Sequence, residues 1–558
     1  MPDQTSPVND LADRFWEGVL ELNPTTATLY GDERYADRLP DPSPEGRART
    51  RALMERTAVA TSEIPTDGLP TEDRITRDML EVIAALEIEE DDQRLHELRV
   101  VDQMGGAQQL LPQLTQFQPA DTPERLDAFL ARLRAYPAFM AANAQILRDG
   151  LASGLTAPRI VAERTIAQIE RMLEVPIASA IVPTMVKVAN EADRERVRDL
   201  VRDHVYPADR AFLDTLKGDY LAATRVDPGL WSAPDGEQLY RTAIRSWTTL
   251  ELDPEAVHRI GLEDLEAIEV ERRQIARKAG FGDDTAAYRA ALDADAANTP
   301  QTKEELVTRA HEDIERALAL APRYFGVLPR AECDVRAVEE YKEKDAPFAY
   351  YYPPAPDGSR PGIYYANGYD LPSRKYTKLA TTTFHEAVPG HHFQITLEME
   401  NPNLITFRRL GARMVGGAYV EGWGLYSERL ADEMGLFRTE AERFGMLDAQ
   451  AWRAARLVVD TGLHALRWPR QRSIDFLKDA GLSETDAVIE TDRYICWPGQ
   501  ALTYKIGQRE IERLRADLEA RDGSAFDLRA FHDAVLGHGS LPLATLSREL
   551  PNWLASPV

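Results

Sequence analysis

Three of the ten histidines in this sequence fall within one ten-residue stretch, 385–394, which reads HEAVPGHHFQ. Glu386 follows His385 directly, and His391 and His392 come six and seven residues after His385. A His-Glu pair on a helix, with another histidine about one turn later, is typical of zinc hydrolases, in which two imidazoles hold Zn²⁺ and the glutamate activates a water molecule. The stretch therefore predicts a zinc site with Glu386 as the general base.

The spacing of the histidines departs from the usual four residues, because Pro389 occupies the fourth position after His385. On a regular helix His391 would point roughly 240° away and lie about 9 Å along the axis, whereas zinc–nitrogen bonds are only about 2.0–2.1 Å long. Pro389 breaks the helix, and Gly390 permits dihedral angles closed to other residues. A two-residue bulge there would bring His391 to the usual ligand position. We predict His385 and His391 as ligands, with His392 as an alternative ligand or a supporting group.

The segment 421–428, which reads EGWGLYSE, is the best candidate for a third ligand. A catalytic zinc usually has three protein ligands and one open position. Glu421 and Glu428 share a helix face, so one can bind the metal while the other orients a histidine from behind. The glycines on either side of Trp423 permit close backbone approach and favour Glu421 as the ligand, with Glu428 in the supporting place. The alternative is a solvated helix face.

Weaker patterns indicate groups that would contact the substrate. Gln500 and Tyr504 follow a Pro-Gly break and are four residues apart, so they should share a helix face. A phenol and an amide there can stabilise a tetrahedral oxyanion, which predicts Tyr504 as a catalytic residue and Gln500 as a substrate contact. His464 is a further candidate for substrate contact. The alternative for each is a place in the core or on the surface.

An aromatic segment directly precedes the first histidine of the stretch. The runs 346–352 and 362–366 are rich in aromatic and β-branched residues, and the turn-forming segment 353–361 lies between them. This pattern predicts a small antiparallel hairpin. A strand edge beside the metal could hold an extended peptide through main-chain hydrogen bonds, with Tyr365 and Asn367 as substrate-binding residues. A hairpin that merely packs is the alternative.

Helical periodicity dominates the rest of the sequence. A first helix is expected from near Asn9, and Thr122-Pro123 and Asp253-Pro254 are typical helix starts, with a capping side chain followed by proline. We expect a mainly α fold, a large helical zinc-peptidase-like ellipsoid with a deep cleft and a small hairpin near the active site. The whole chain is predicted to form one metallopeptidase-like domain, with an N-terminal helical part over about 1–340 and a metal-site part over about 341–558.

Composition excludes several classes of protein. The formal net charge of −26 repels polyanions and argues against nucleic acid as a partner. No run of 18 apolar residues is present, so we expect no membrane-spanning helix and no membrane partner. Only Cys333 and Cys496 occur, which leaves no disulfide framework. The first seven residues lack the basic and apolar regions of a secretory signal, which predicts a cytoplasmic protein. The oligomeric state is not specified.

The motifs H-E-A-x-P-G-H-H, E-G-W-x-L-Y-x-E and P-G-Q-A resemble those of the bacterial domain-of-unknown-function family 885. The similarity runs nearly the full length, from 24–31 to 539–543, and implies a mostly helical protein with metallopeptidase activity. The first motif is also similar to the H-E-A-G-H of Taq-type zinc carboxypeptidases, if residues 388–389 are an insertion. That resemblance pairs His391 with the second ligand and Glu421 with a downstream glutamate.

We therefore expect zinc-dependent hydrolysis of peptide bonds in oligopeptides, of an oligopeptidase or carboxypeptidase type, because a closed helical cleft would exclude folded proteins. One alternative is a zinc amidohydrolase that acts on a small non-peptide amide or a modified amino acid. The other is a non-catalytic helical binding protein, in which His385, His391 and Glu421 form a structural site. Zinc content and sensitivity to a chelator would separate the enzyme from the binding protein.

Overall fold

The computed structural model describes residues 6–339, 343, 347–355, 358 and 360–555. Most of these residues are helical, and the named strands form one three-stranded sheet. The predicted mainly α fold is confirmed. No described helix combines the length and the apolar character needed to cross a membrane.

The chain packs as two compact units, and each draws on more than one segment. Unit 1 comprises Met1–Ala243, Leu463–Arg472 and Val488–Pro498, and unit 2 comprises Ile244–Gly462, Ser473–Ala487 and Gly499–Val558. The predicted boundary near residue 340 therefore lies inside unit 2. Sequence pattern does not mark the division at 243, because the chain passes it within a continuous helix.

Side-chain caps define where the early helices begin. Ser6 Oγ accepts from the Val8 amide at 3.2 Å, so the first helix starts before the expected Asn9. Thr122 Oγ1 accepts from the Arg125 amide at 3.3 Å, as the sequence predicts. The helices in this part of the chain are α1 (Pro7–Leu22), α2 (Pro24–Leu29), α3 (Pro44–Ser62), α4 (Thr71–Asp92), α5 (Leu95–Arg99), α6 (Leu110–Leu114), α7 (Pro123–Ser153), α8 (Arg159–Glu174), α9 (Ile181–Met185), α10 (Glu191–Leu200), α11 (Tyr206–Thr215), α12 (Leu221–Ala223) and α13 (Gly236–Thr248).

The later helices carry the motifs singled out in the sequence. Asp253 Oδ2 accepts from the Ala256 amide at 2.9 Å and caps the first of them, which confirms the second predicted helix start. These helices are α14 (Pro254–Lys278), α15 (Thr285–Ala294), α16 (Lys303–Leu320), α17 (Tyr376–Glu386), α18 (His391–Glu400), α19 (Gly417–Glu433), α20 (Glu440–His464), α21 (Arg470–Asp479), α22 (Glu484–Cys496), α23 (Thr503–Asp522), α24 (Leu528–Gly537) and α25 (Leu543–Ala555).

Helices α19 and α23 cross at a pair of glycines within unit 2. A Cβ atom added to Gly422 would overlap the main chain of Gly507, and one added to Gly507 would overlap the carbonyl oxygen of Ala418. The two backbones therefore touch directly, which only glycine permits. The predicted close approach at the glycine before Trp423 is confirmed.

The sheet consists of β1 (Cys333–Ala337), β2 (Ala349–Tyr352) and β3 (Gly362–Ala366), in the order β1-β3-β2. β2 and β3 pair antiparallel, which confirms the hairpin, although Ala346 and parts of the turn (Pro356, Asp357 and Ser359) lie outside the described residues. The sequence analysis missed β1, which pairs parallel to β3. Only its central valine is buried, so its five residues carry little strand pattern. β3 is therefore the central strand.

Candidate metal centre

The Pro-Gly break presents two histidines from two short helices. α17 ends at Glu386 and α18 begins at His391, and the Phe393 amide donates to the Ala387 carbonyl, six residues back, at 3.2 Å. A regular helix would place that bond four residues back, so two residues have been inserted, as the sequence predicts. The sequence predicts a bulge within one helix. In the structure the chain instead leaves the helix at Glu386 and starts a second helix at His391. A Cβ atom added to Gly390 would overlap main-chain carbonyl oxygens of α17.

Trp423 holds this break in place. Its indole Nε1–H donates to the Pro389 carbonyl at 2.9 Å, and the whole side chain is buried. The ring packs against Phe325, Tyr426 and His532, with centroid distances of 6.3, 5.3 and 5.8 Å. The single polar group of the indole bonds to the Pro389 carbonyl, and its apolar ring packs in the core of unit 2. Trp423 therefore links the break to that core.

Two imidazoles and one carboxylate converge beside the break. Nε2 of His385 and Nε2 of His391 each lie 3.5 Å from Oε2 of Glu421, and the two rings stand 4.7 Å apart at 83°. Ligand atoms about 2.1 Å from a tetrahedral zinc are about 3.4 Å from one another. The two nitrogen–oxygen distances match this spacing, and a nitrogen of each histidine lies within 4.8 Å of the other, so the three side chains form a candidate zinc site.

Gly424, the second glycine of the 421–428 motif, leaves space for the imidazole rings of His385 and His391. A Cβ atom added to Gly424 would lie 2.8 Å from Cε1 of His385 and 2.9 Å from Cε1 of His391. Real Cβ atoms do not approach ring atoms so closely, so one of the rings would have to shift. Glycine at this position allows α19 to pass directly beneath the imidazoles.

Glu386 lies next to the three converging groups. One carboxylate oxygen of Glu386 and one nitrogen of each of His385 and His391 all lie within 4.8 Å of one another. Enclosure by the protein raises the pKa of Glu386, against the opposing charges of the two histidines. A carboxylate with a raised pKa, beside a metal position and partly open to solvent, has the properties of a general base.

Glu428 orients His385 from behind. Its Oε1 lies 2.9 Å from Nδ1 of His385, which leaves Nε2 of that ring directed towards Glu421. A carboxylate on the far nitrogen of a histidine ligand fixes the tautomer and ring angle in many metal sites. The carboxylate is itself held by Gln450, whose Nε2 donates to Oε2 at 3.2 Å, and by Arg453, at 3.7 Å. Glu428 therefore lies behind His385, at the ring nitrogen opposite the one that faces Glu421.

The charges in the cluster act on one another. Burial alone would lower the pKa of His385, but its hydrogen bonds with Glu421 and Glu428 raise it to about 10. Burial acts in the opposite sense on Glu421, yet the two imidazoles hold its pKa well below the ordinary range. The pKa of Glu428 is also lowered, because Arg453 and His385 outweigh the effect of burial. Without metal, both ring nitrogens of His385 therefore carry protons at neutral pH, with Nδ1 facing Glu428 and Nε2 facing Glu421.

His392 points away from this cluster and towards the sheet. Its Nδ1 accepts from the Tyr351 hydroxyl at 2.9 Å, and its Nε2 donates to the Ala331 carbonyl at 3.1 Å. Burial lowers the pKa of His392 to about 4, so the ring is neutral. Of the two adjacent histidines, His391 is the one that lies beside His385.

We expect His392→Ala to retain zinc and His391→Ala to lose it. The His392 variant should lose about 1–3 kcal/mol of unfolding free energy, because the Tyr351 hydroxyl and the Ala331 carbonyl lose a buried partner. Zinc content after dialysis and denaturant unfolding measure the two effects. Loss of zinc from a folded His392→Ala protein would contradict this assignment.

The family model for bacterial proteins of unknown function (DUF885) matches residues 24–550. The chain belongs to this family. A solved structure from Colwellia psychrerythraea, named a "putative lipoprotein", is similar to this family member with 27% identity, a TM-score of 0.90 and 98% of each chain covered. Another, named a "putative lipoprotein of unknown function", from Shewanella oneidensis, has 18% identity and a TM-score of 0.77, with 98% of this chain and 99% of that chain covered. It shares the fold. No curated protein matches the chain.

Tyr504 lies beside the first histidine. The centroid of its ring is 6.4 Å from that of His385, at an interplanar angle of 23°. The guanidinium carbon of Arg456 lies 4.2 Å from the Tyr504 ring centroid. Gln500 is not on the same α-helix, because α23 begins at Thr503 and Gln500 lies in the 3-10 turn before it. The break at Gly499, where φ is positive, explains why the helix starts later than the sequence predicts.

The remaining predicted substrate contacts are engaged within the fold. Tyr365 lies on the central strand β3, whose two edges are paired, so its main chain cannot take up a peptide. The Asn367 amide donates to the carbonyls of Glu343 and Pro347 at 2.7 and 3.0 Å. His464 belongs to unit 1, where its Nδ1 accepts from the Leu230 amide at 3.2 Å and its Nε2 donates to a main-chain carbonyl at 3.0 Å. Asn367 and His464 would each have to give up a hydrogen bond to contact substrate.

The sequence analysis did not identify two residues of α20 that contact Glu428. Gln450 and Arg453 are three residues apart on that helix and both reach Glu428. Their spacing matches a helix face, but such pairs are common on solvated surfaces, so the pattern alone carries little information.

Proposed function

We propose that this protein hydrolyses peptide bonds in oligopeptides with zinc held by His385, His391 and Glu421. The observation that carries the proposal is the position of Glu421 Oε2, which lies 3.5 Å from Nε2 of both histidines. Three protein ligands and a neighbouring glutamate are the donor set of a catalytic zinc, whereas structural zinc sites usually have four protein ligands. The similarity of the first motif to that of Taq-type carboxypeptidases supports the same reaction.

When bound, zinc would polarise the scissile carbonyl and make water more acidic. Glu386 would accept the proton of the attacking water and deliver it to the nitrogen of the leaving amine, which its raised pKa favours. Glu428 would keep His385 in the tautomer whose Nε2 lone pair faces the site. The Tyr504 hydroxyl would donate to the oxygen that gains charge in the tetrahedral intermediate.

The substrate proposed is an extended peptide that lies along the sheet. β2 is at the edge of the sheet, packs against α17 and α18, and is tied to α18 by the Tyr351–His392 hydrogen bond. An edge strand can recognise a peptide through main-chain hydrogen bonds, without regard to side chains. This moves the predicted peptide contact from Tyr365 on β3 to β2.

A peptide library tests the proposal. Purified protein with zinc should cleave oligopeptides, lose this activity to a chelator and regain it on addition of zinc. A parallel set of small acylated amino acids and non-peptide amides separates a peptidase from an amidohydrolase. Zinc-independent turnover, or no turnover of either set by zinc-loaded protein, would contradict the proposal.

Zinc affinity is expected to depend on pH. Zinc binds neutral imidazole, whereas the pKa of His385 is raised to about 10 in the metal-free protein. Below that pH zinc must displace a proton, so the dissociation constant should fall by about tenfold for each unit of pH rise between pH 7 and 9. Competition with a chromophoric chelator measures it. A dissociation constant that does not change over this range would exclude a protonated His385.

A further inference from the structure

A buried lysine lies behind the metal-site helices. Lys505 on α23 is 4% exposed, and its Nζ donates to Oε1 of Gln450 at 2.9 Å and to Oε1 of Gln508 at 2.8 Å. Among the described residues no carboxylate is within ion-pair distance of this ammonium group. A buried cation that is held by neutral amides is costly to keep, so its presence calls for a physical role.

The contact with Lys505 fixes which way the Gln450 amide faces. An ammonium group has donors only, so it must meet the oxygen of the amide and never its NH₂. The NH₂ group is then directed to the opposite side, where it donates to Oε2 of Glu428 at 3.2 Å and to the carbonyl of Leu425 at 3.1 Å. If the amide were reversed, its oxygen would face the Glu428 carboxylate and repel it.

The chain of contacts continues to the metal position. The Gln450 amide occupies Oε2 of Glu428, which leaves Oε1 to meet Nδ1 of His385 at 2.9 Å. Three hydrogen bonds therefore connect Lys505 to a predicted zinc ligand, through Gln450 and Glu428. Each group in this chain is at most 4% exposed, so water does not compete for these bonds.

We propose that Lys505 is a positioning residue, which holds the Gln450 amide in the one orientation that lets Glu428 align His385 for zinc. This inference rests on the proposed zinc site. It assigns a function to a lysine whose ammonium group donates to Gln450 and Gln508 and that the mechanism above does not use.

The electrostatic surroundings agree with this role. The charged groups that act on Lys505 are Glu512, Asp264, Arg429 and Glu428, and burial lowers the pKa of Lys505 to about 8. Below that pH Lys505 is an ammonium group with donors only and must meet the Gln450 oxygen, whereas a neutral amine also carries an acceptor lone pair and would accept either orientation of the amide. The ammonium form of Lys505 is therefore the one that fixes the orientation of Gln450.

Zinc and cobalt binding by a set of variants test the proposal. Lys505→Met removes the donors at similar volume and should weaken zinc binding by about tenfold, near the lower end of effects seen for groups behind a ligand. Lys505→Arg keeps the donors and should restore most of the affinity. Gln508→Met is the matched control, because it removes the other acceptor of Lys505, is equally buried and does not lead to Glu428. It should bind zinc like the wild type.

The double variant Lys505→Met/Gln450→Met separates positioning from general packing. If Lys505 acts through Gln450, the double variant should bind zinc no more weakly than Gln450→Met alone. The Co²⁺ absorption spectrum of Lys505→Met should also change, because the angle of the His385 ring changes. Should Lys505→Met not fold, Gln450→Met alone tests the same step, since it removes both the acceptor of Lys505 and the donor to Glu428.

The outcomes are distinct. Equal losses in Lys505→Met and Gln508→Met, additive losses in the double variant, or wild-type zinc affinity in Lys505→Met or Gln450→Met would overturn the inference and leave the zinc site intact. A wild-type protein that binds no zinc would overturn the proposed function itself, together with this role for Lys505.

Discussion

Glu386→Gln is expected to lower the kcat of peptide hydrolysis by about 10²- to 10⁴-fold, the usual contribution of a general acid–base group, while zinc content stays near one ion per chain. Glutamine has nearly the same size and hydrogen-bonding reach, but its amide cannot take up the proton of the attacking water. The ligand atoms of His385, His391 and Glu421 remain, so the metal should be retained. Single-turnover kinetics on a cleaved peptide, with zinc measured on the same sample, check both effects.

The matched control for this variant is Glu263→Gln, an exposed glutamate on α14 in the same unit. It makes the same chemical change away from the site and should keep wild-type kcat and zinc content. If Glu386→Gln retained wild-type turnover, the general base would have to be another group. If it lost both zinc and turnover, Glu386 would be a ligand.

Glu421→Ala is expected to abolish stable zinc binding, with a loss of affinity greater than about 100-fold. The two imidazoles converge on one carboxylate oxygen, and without it two protein ligands remain for a metal that normally takes three or four. Zinc content after dialysis should fall well below one ion per chain, and peptide hydrolysis should fall with it. Unfolding of the metal-free forms shows whether the fold itself is intact.

Glu428→Gln provides the comparison for that result. It removes the charge behind His385 but no ligand, so zinc binding should weaken by about 10- to 100-fold, less than in Glu421→Ala. A reversed order, with Glu428→Gln losing zinc and Glu421→Ala retaining it, would exchange the roles of the two glutamates. The structure argues for the stated order, because only Glu421 lies 3.5 Å from both imidazoles.

Local sequence was sufficient to predict the helix break between His385 and His391. Pro389 and Gly390 cannot continue a helix, so the break and the two-residue insertion followed from the two residues themselves. The choice between His391 and His392 did not follow, because it depends on Tyr351 and Ala331, which supply the partners of His392. Both lie more than forty residues earlier in the chain.

Residues of the 421–428 motif could be interpreted in part from the sequence. The glycines indicated close approach, and the structure gives each a different neighbour, Gly507 for Gly422 and the two imidazoles for Gly424. The role of Trp423 could not be predicted, because its hydrogen-bond acceptor is the Pro389 carbonyl, which lies in the break between two helices. Local pattern predicts that backbones or rings will be close, and only the fold decides which ones.

Features that depend on long-range packing were missed. The division into two units and the parallel pairing of β1 join segments that are distant in sequence and change no local composition. Lys505 and Gln450 likewise belong to ordinary helical patterns on α23 and α20, and their role becomes visible only when both helices lie beside α19.

A crystal structure of the zinc-loaded protein, with an anomalous difference map recorded at the zinc absorption edge, measures the central claim most directly. The account predicts one strong peak about 2.0–2.2 Å from Nε2 of His385, Nε2 of His391 and a carboxylate oxygen of Glu421. A map without a peak among these three groups, or with a peak bound by His392 in place of His391, would contradict it.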